Sequence, residues 1–408
     1  MKRLLLYKNS TNFKEYTVRL IESLLGPALV DDPAQADYVL VSICDITELD
    51  DILSAKKYGK PVVTGGLIAD YPIVNELSDY TWHGEIYGFA SRFLAGEDIL
   101  DMPSISTKDN KRLVIDQNIK WLSNPIVRVG KRAMYYYVSK GCPVKCKYCY
   151  ISHNRTYQKV PQQLYRNALQ RAGKDIMPIA AYNPYGVPGS AHIGETLLRE
   201  YITGNVGRSA RLLRMGVEFV TDELSKSLAK GVTLGHVNVA LGLAKQNETK
   251  LILYYIAGCE NQSDIESYFS GLAVDYDTKP VVTIVFTYID PQPFTPFQDF
   301  DLRQKITNIN AKEIFRFANA MNKRVRVMPL AKPEVSLTRT LLARSISAAD
   351  YLLVKSLRNK TSDEILSRVP SRMIGSQSLN DVINNRRHDK YIPDYWADAC
   401  STGRSKEH

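Results

Sequence analysis

The sequence predicts an α/β protein that begins with a doubly wound, Rossmann-like parallel sheet. A full or partial (β/α) barrel follows, and a helical region ends the chain. Short apolar runs alternate with helical periodicity, the alternation resumes after a polar, turn-rich segment, and the last stretches are helical throughout. We predict a first domain over residues 1–100, a linker over 101–127, a barrel over 128–330 and a helical region with a flexible tail over 331–408.

Composition and charge exclude several classes of protein. The chain has 408 residues, of which 44% are hydrophobic and 24% charged, so neither global disorder nor a collagen or coiled-coil architecture is expected. The longest strongly apolar run, over 280–289, is half of the ~20 residues that a membrane-spanning helix needs. The first residues lack the apolar core of a signal peptide. We therefore expect a cytoplasmic protein with no membrane partner.

The first domain carries continuous apolar strands, such as YVLVSIC and PVVTGG, separated by helical stretches. This pattern is typical of a parallel sheet covered by helices on both faces. Ligands of such sheets bind beyond the carboxyl ends of the strands. The candidate binding residues at these ends are Ser42, Gly65, Gly66, Gly84 and Glu85.

The net charge of +10 is concentrated in one segment. Residues 117–174 contain twelve Lys and Arg and no Asp or Glu, whereas the rest of the chain is nearly neutral. A local positive field favours an anionic partner, such as a nucleic acid, a nucleotide, an acidic substrate or an acidic electron donor. A solvated basic face is the alternative interpretation.

Three of the six cysteines lie within the sequence GCPVKCKYCY, at positions Cys142, Cys146 and Cys149. This spacing brings three thiolates onto one tight loop, as a soft metal requires. Zinc needs a fourth ligand, which His153 is placed to supply. An iron–sulfur cluster held by three cysteines instead leaves one iron open for a substrate or cofactor.

At these residues the sequence resembles the radical S-adenosylmethionine (SAM) superfamily. The CxxxCxxC motif appears as Cys142, Cys146 and Cys149, Tyr148 is the aromatic residue before the last cysteine, and a predicted strand over 132–141 leads into the loop. The resemblance implies a 4Fe-4S cluster on the three cysteines, and SAM bound at the open iron. It also implies an external reductant such as flavodoxin or ferredoxin and reductive cleavage of SAM to a 5′-deoxyadenosyl radical.

The predicted barrel resembles the cobalamin-associated group of radical SAM enzymes. Its sixth strand is followed by an exit loop of the form Pro-x-Pro-x-Thr-Pro-Phe over 291–297. The resemblance implies that backbone carbonyl groups near the second strand, the carboxylate of the fourth strand and the backbone of the fifth bind SAM. These residues are Tyr182, Asn183, Glu218, Ile256 and Gly258, and Tyr148 beside the last cysteine is the further residue implied to bind SAM.

The barrel departs from the group's pattern at two places. The second strand lacks the Gly-Gly-Glu that holds the SAM amino group, and the fifth continues as Cys-Glu-Asn-Gln-Ser instead of Pro-Gly-Glu-Thr. The alternative interpretation of Glu218 is a solvated charge at the end of a strand. For Cys259 a hydrogen donor, a radical relay and a small buried strand residue all remain open.

The first domain resembles the cobalamin-binding domain that precedes many radical SAM domains, through VSIC, TGG and HGE. It lacks the Asp-x-His-x-x-Gly motif whose histidine ligates cobalt, and radical SAM members commonly lack this histidine. The resemblance therefore implies a possible cobalamin site at the strand ends named above. The alternative is that Gly65 and Gly66 are turn glycines of a scaffold domain.

Three functions follow from these patterns. The first is a cobalamin-dependent radical SAM methyltransferase acting on an unactivated carbon. The second is a cobalamin-independent radical SAM enzyme that modifies or rearranges a nucleic acid or nucleotide. The third is a non-catalytic zinc- or nucleic-acid-binding protein. A methylthiotransferase is disfavoured, because its first domain would carry three cysteines and this one has only Cys44.

Overall fold

The computed structural model describes twelve stretches of chain and two single positions. These are residues 2–8, 15–111, 113–116, 127–129, 133–161, 163–164, 167 and 170, 176–180, 197–204, 212–272, 282–305, 325–328 and 332–384. The chain divides into two compact units. The first comprises Met1–Ala133, Thr338–Arg358 and Tyr391–His408, and the second comprises Met134–Leu337 and Asn359–Lys390.

The first unit contains a sheet whose strand order is β2-β1-β3-β4-β5-β6, with every pair parallel except β5 and β6. The chain leaves β1 for one edge and returns to its other side, so the topological switch point lies between β1 and β3. The strands are β1 (Leu4–Leu6), β2 (Leu29–Val30), β3 (Tyr38–Ser42), β4 (Val62–Gly65), β5 (Tyr80–Trp82) and β6 (Ile105–Ser106).

Helices cover both faces of this sheet. Helix α1 packs beside α4, and α2 packs beside α3. Val39, Leu40 and Val41 are consecutive and all buried, which requires a packed layer on each side of β3. The predicted doubly wound sheet is confirmed. The helices are α1 (Glu15–Leu25), α2 (Leu49–Lys56), α3 (Pro72–Leu77) and α4 (Ile86–Leu94).

The described part of segment 101–127 contributes to the first unit, although the sequence predicts a linker there. Ile105 and Ser106 form the antiparallel edge strand, and both are buried. Ser106 is polar but has hydrogen-bond partners inside, so its burial is compensated. The turn-rich composition of this segment conceals an edge strand.

Part of the C-terminal helical region also belongs to the first unit. Helix α11 (Pro333–Ala343) crosses the boundary between the units, and α12 (Ala348–Ser356) lies within the first. Arg339 forms an ion pair with Asp45 at 2.7 Å, just beyond β3. Lys355 pairs with Asp50 of α2 at 2.6 Å, and the Tyr351 hydroxyl donates to the same carboxylate.

The second unit is built on parallel strands. Strand β8 (Ala133–Lys140) pairs parallel with β10 (Ile176–Ala180) and antiparallel with β9 (Gln158–Lys159). A second parallel set has the order β11-β12-β13-β14. Its strands are Leu212–Glu218, Lys250–Ala257, Val282–Tyr288 and Val325–Met328, and a further strand, β7, spans Val127–Val129.

The core of the second unit lies under the β11–β14 set. In β12 alternate residues are buried, as on a strand with one covered face: Leu251, Leu253, Tyr255 and Ala257. The α/β class with parallel strands, as predicted for a full or partial barrel, is confirmed. The helices are α5 (Tyr150–Asn154), α6 (Leu198–Ile202), α7 (Asp222–Ser227), α8 (Leu234–Gln246), α9 (Gln262–Ser270), α10 (Leu302–Lys305), α13 (Ser362–Arg368), α14 (Ser371–Ile374) and α15 (Leu379–Asn384).

Among the described residues, none of the helices combines the length and the hydropathy needed to span a bilayer.

Candidate functional site

The three cysteines lie on the loop that leaves the carboxyl end of β8. Gly141 turns the chain into the loop with φ +72°, and a Cβ atom there would lie 2.4 Å from the Thr156 carbonyl oxygen. A side chain is therefore sterically excluded at Gly141. Cys142 and Cys146 are buried, Cys149 is partly buried, and the Cys149 amide donates to the Cys146 carbonyl at 3.1 Å. Helix α5 begins directly after Cys149.

Polar side chains of α5 hold the loop closed. The Ser152 hydroxyl is 3.0 Å from the Cys146 carbonyl oxygen and 2.8 Å from that of Cys149. His153 Nε2 lies 3.0 Å from the same Cys146 oxygen, and since a carbonyl only accepts, this nitrogen carries a hydrogen. Nε2 of His153 is therefore committed to the backbone. In this arrangement Nε2 is not available as the fourth ligand of a zinc ion.

Two of the three thiols, those of Cys142 and Cys146, lie in an environment that favours their protonated form. Burial raises the pKa of Cys142, and it raises the pKa of Cys146 to about 12. The Cys146 sulfur contacts the Ala229 carbonyl oxygen at 3.9 Å. As they stand, no three His, Cys, Asp or Glu side chains in the described ranges are grouped closely enough to hold a metal ion. Metal binding would displace protons from these thiols and draw Cys146 away from Ala229.

The loop is fixed to two distant parts of the second unit. The Lys147 amide donates to the Leu228 carbonyl at 3.1 Å, in the turn after α7. The Lys147 ammonium donates to the carbonyls of Val382, at 3.3 Å, and Ile383 near the end of α15. Burial lowers the pKa of Lys147. The Lys145 ammonium likewise donates to the Ser152 carbonyl at 2.7 Å. Both lysines therefore make hydrogen bonds within the protein and are not part of an open basic face.

Glu218 is brought to the cysteine loop in an unusual backbone conformation. It ends β11 with φ +77°, which a non-glycine residue adopts only under constraint. Its Oε1 lies 3.0 Å from the ammonium of Lys230, and the two side chains are only 17% and 11% exposed. Gly216 makes room for this carboxylate, because a Cβ atom there would lie 2.0 Å from Glu218 Oε1. The alternative of a solvated charge at Glu218 is not what the structure shows.

Lys230 is a site residue that the sequence reading missed. It follows Ala229, whose carbonyl meets Cys146, so the cation lies beside the cysteine loop. Burial acts to lower the pKa of Lys230, but Glu218 and the thiol groups of Cys146 and Cys149 raise it above the ordinary value. A charged ammonium is thus held on the Glu218 carboxylate, close enough to the cysteine loop to interact electrostatically with it. The sequence Ala229-Lys230-Gly231 contains no pattern that indicates this position of Lys230, because its contacts arise from the tertiary structure.

The predicted SAM-binding residues of the second unit are partly brought together. The Tyr148 ring lies edge-on to Phe219, with 5.5 Å between centroids, and its hydroxyl bonds to Cys146. Ile256 and Cys259 pack against the same apolar cluster as Tyr148. Gly258 is buried with φ +105°. Tyr182 and Asn183 lie outside the described residues.

The exit loop after β13 is docked on α5. Oε1 of Gln292 accepts from the Tyr150 amide at 2.9 Å, directly beside Cys149. The Asn154 amide group donates to the carbonyls of Tyr150 and Phe294, both at 3.1 Å. Phe294 has φ +61°, so this loop is tightly constrained. Gln292 and Asn154 are further residues without a recognisable sequence signal.

In the first unit the strand-end glycines serve close backbone contacts. Ser42 and Gly65 are paired across β3 and β4. Gly66 has φ +123°, and a Cβ atom there would lie 2.1 Å from the Ile43 carbonyl oxygen. Gly84 has φ +151°, with the Asp116 carbonyl oxygen 2.5 Å from the Cβ position, and the Glu85 amide donates to that oxygen at 3.2 Å. Packing within the chain already accounts for glycine at 66 and 84.

His83, the histidine nearest these loops, is enclosed. It is fully buried, with Nδ1 3.0 Å from Asp70 Oδ1 and Nε2 2.6 Å from Ser106 Oγ. Ser106 in turn donates to Asn75 Oδ1 at 2.6 Å. Both ring nitrogens of His83 are engaged, so its imidazole is not offered to a cobalt ion. This network ties the loop after β4 to the loop after β5.

The fold of this chain is similar to that of a solved structure. The chain superimposes on the cobalamin-dependent SAM radical enzyme OxsB, with aqua-cobalamin and SAM bound, at a TM-score of 0.50 and 14% identity, covering 68% of this chain and 53% of OxsB. Over the superimposed part, the chain has the fold of this enzyme. The chain spans about half the length of OxsB.

A second neighbour is the radical SAM methyltransferase TsrM from Kitasatospora setae, with cobalamin and a 4Fe-4S cluster bound. Its TM-score is 0.49 at 13% identity, over 73% of this chain and 76% of TsrM. No family model matches the sequence. No curated protein matches it either. The likeness to the cobalamin-dependent radical SAM fold therefore comes from three-dimensional structure.

Proposed function

We propose that this chain is a radical SAM enzyme, and that its reaction is cobalamin-dependent methyl transfer to an unactivated carbon. The observation that carries the proposal is the meeting of the three-cysteine loop with the buried Glu218–Lys230 pair. The OxsB-like fold supports it, since parallel strands deliver these groups from their carboxyl ends. The substrate is a separate question from this assignment.

The donor set fits a 4Fe-4S cluster. Cys142, Cys146 and Cys149 provide three soft ligands on one loop, and His153 is occupied elsewhere through Nε2. When bound, the cluster supplies the electron with which SAM is cleaved, and cobalamin supplies a methyl carrier. The chain's own residues bind and orient. Lys230 would offset the negative charge of cluster-bound thiolates, Glu218 would offer a carboxylate to ribose hydroxyl groups, and Tyr148 and Ile256 pack against one apolar cluster.

The fit to cobalamin is weaker than the fit to the cluster. The strand order and the ends of β3 and β4 match a ligand-binding edge of a doubly wound sheet. However, Gly66 and Gly84 are needed for internal contacts and His83 is enclosed. These observations favour a second candidate, a cobalamin-independent radical SAM enzyme that modifies a nucleic acid or nucleotide. The acid-free segment 117–174 supports an anionic substrate for either candidate.

We also propose that the protein works in the cytoplasm with flavodoxin or ferredoxin as reductant. A cluster on Cys142, Cys146 and Cys149 needs reduced cysteines, which a reducing compartment maintains. An acidic electron donor would be attracted by the same basic segment that suits an anionic substrate.

Reconstitution under anaerobic conditions tests the two candidates together. The protein is loaded with iron and sulfide, mixed with hydroxocobalamin and desalted, and its ultraviolet–visible spectrum is recorded. Broad brown absorbance with retained corrinoid bands supports the methyltransferase. Brown absorbance without corrinoid supports the cobalamin-independent enzyme. A colourless protein that retains zinc instead would contradict both.

A further inference from the structure

Glu260 has a position and a set of contacts that the resemblance to known enzymes does not account for. It follows β12, where the sequence departs from the expected Pro-Gly-Glu-Thr. Its Oε1 accepts three hydrogen bonds, from the Val220 amide at 2.8 Å, the Thr221 amide at 2.7 Å and the Thr221 hydroxyl at 3.1 Å. One carboxylate oxygen thus clamps the exit of β11 to the exit of β12.

The clamped backbone is the segment that sets the direction of Glu218. Val220 and Thr221 come two and three residues after Glu218, whose φ of +77° is unfavourable for a residue with a Cβ atom. Such a conformation persists only when the surroundings fix it. Lys230 holds the Glu218 carboxylate at 3.0 Å, while Glu260 holds the chain that follows.

We propose that Glu260 is a positioning residue that aims Glu218 at the adenosyl cofactor by fixing the backbone directly after it. This inference rests on the proposed function, because it assigns a task to Glu218 within that function. Glu260 acts through Glu218 and Thr221. In this arrangement a rigid carboxylate clamp at β12 preorganises a binding residue on β11.

The charge of Glu260 changes near neutral pH. Burial raises the pKa of Glu260 to about 7, opposed by the hydrogen bonds from Thr221 and Val220. The groups that face it are Asp264 of α9, which also raises this pKa, and the phenols of Tyr255 and Tyr268, whose own pKa values burial raises. Neither phenol therefore ionises near neutral pH. Since a charged acceptor binds amides more strongly than a neutral one, the clamp strengthens as the pH rises through about 7.

The test is the dissociation constant for SAM, measured by anaerobic calorimetry on cluster-loaded protein from pH 6 to 8.5. We expect wild-type binding to tighten by about fivefold across this range. Glu260→Gln keeps a neutral acceptor, so its affinity should stay near the wild-type value at pH 6 throughout. Comparing the two proteins at each pH cancels any titration of SAM itself. Glu266→Gln, a carboxylate removed from the same region without contact to Thr221, should keep the wild-type profile.

Two further variants remove the clamp without relying on titration. Glu260→Ala leaves the Val220 and Thr221 amides without their acceptor and should weaken SAM binding about tenfold at pH 8. Thr221→Val removes one of the three bonds, and about a twofold loss is expected even if Glu260→Ala does not fold. Folded Glu260→Ala and Thr221→Val proteins that both bind SAM as tightly as wild type would overturn the positioning role alone. Wild-type protein that binds no SAM would overturn the proposed function and this role with it.

Discussion

Lys230 and Glu218 form a buried ion pair. Removing one partner of such a pair destabilises the folded protein, because the other charge stays buried without compensation. Their side chains are 11% and 17% exposed, so neither charge is well solvated when alone. The Glu218 carboxylate, 3.0 Å away, keeps the ammonium charged although burial opposes the charge. The pair therefore fixes the Glu218 carboxylate, and Lys230 directly follows Ala229, whose carbonyl contacts Cys146.

Replacing Lys230 by methionine should destabilise the protein, because it leaves the Glu218 carboxylate buried and unpaired. The expected loss is about 3 kcal/mol in the free energy of unfolding, measured by urea denaturation of the metal-free protein. The double variant Glu218→Gln/Lys230→Met removes both charges and should recover most of this loss. Equal stabilities of the single and double variants would contradict a coupled pair.

Glu260 should make stability depend on pH in a defined window. Its pKa is raised in the folded protein from the ordinary value of 4.5 to about 7, so the folded state binds more protons than the unfolded state between these values. The free energy of unfolding contributed by Glu260 is thus fully present below about pH 4.5 and is lost as the pH rises to about 7. The urea midpoint of wild type minus that of Glu260→Gln, measured at each pH, should decrease as the pH rises across this window. A constant difference would show that Glu260 does not titrate there.

The sequence predicts individual site residues only where the signal is local. Cys142, Cys146, Cys149 and Tyr148 are recognisable because their spacing within one loop is itself the pattern. Lys230, Glu260 and Gln292 reach the site from loops that are distant in sequence, and the contact between Cys146 and Ala229 joins residues 83 positions apart. Such residues have no distinguishing neighbours in sequence, so only the fold identifies them.

At the scale of elements, substitution of a strand-end glycine in the first unit tests how closely the backbone is packed there. Gly66→Ala would place a Cβ atom 2.1 Å from the Ile43 carbonyl oxygen, in addition to the strain of φ +123°. We expect a loss of at least about 3 kcal/mol in the free energy of unfolding. Gly96→Ala is the matched control, because Gly96 has φ +85° but no atom within 4 Å of its Cβ position, and should cost about 1 kcal/mol. Similar losses for both variants would contradict the steric role of Gly66.

Whole elements were predictable where hydrophobic runs are long. Strands β3, β12 and β13 follow directly from apolar residues in YVLVSIC, LILYYIAG and VVTIVFTY. Strand β2 has only two residues, and β6 carries a buried serine whose burial depends on His83 and Asn75. Neither has a run of apolar residues or an alternating pattern. Their pairing depends on neighbours that are distant in sequence.

At the scale of the whole molecule, chain order and spatial grouping differ. Residues Thr338–Arg358 join the first unit although more than two hundred residues of the second unit precede them. Charge pairs such as Arg339–Asp45 and Lys355–Asp50 help to fix this return. Helical periodicity predicts that these residues form helices, but it carries no information about the surface against which they pack.

The most direct test of the central claim is the electron paramagnetic resonance spectrum of reduced, cluster-loaded protein before and after addition of SAM. The account predicts a 4Fe-4S signal that changes on addition of SAM, because one iron is open, and a weaker change in Glu218→Gln at the same SAM concentration. Cys149→Ala should retain no such cluster, while Cys44→Ala, in the first unit, should behave as wild type. A SAM-insensitive signal, or a cluster that survives in Cys149→Ala, would contradict the assignment of this loop.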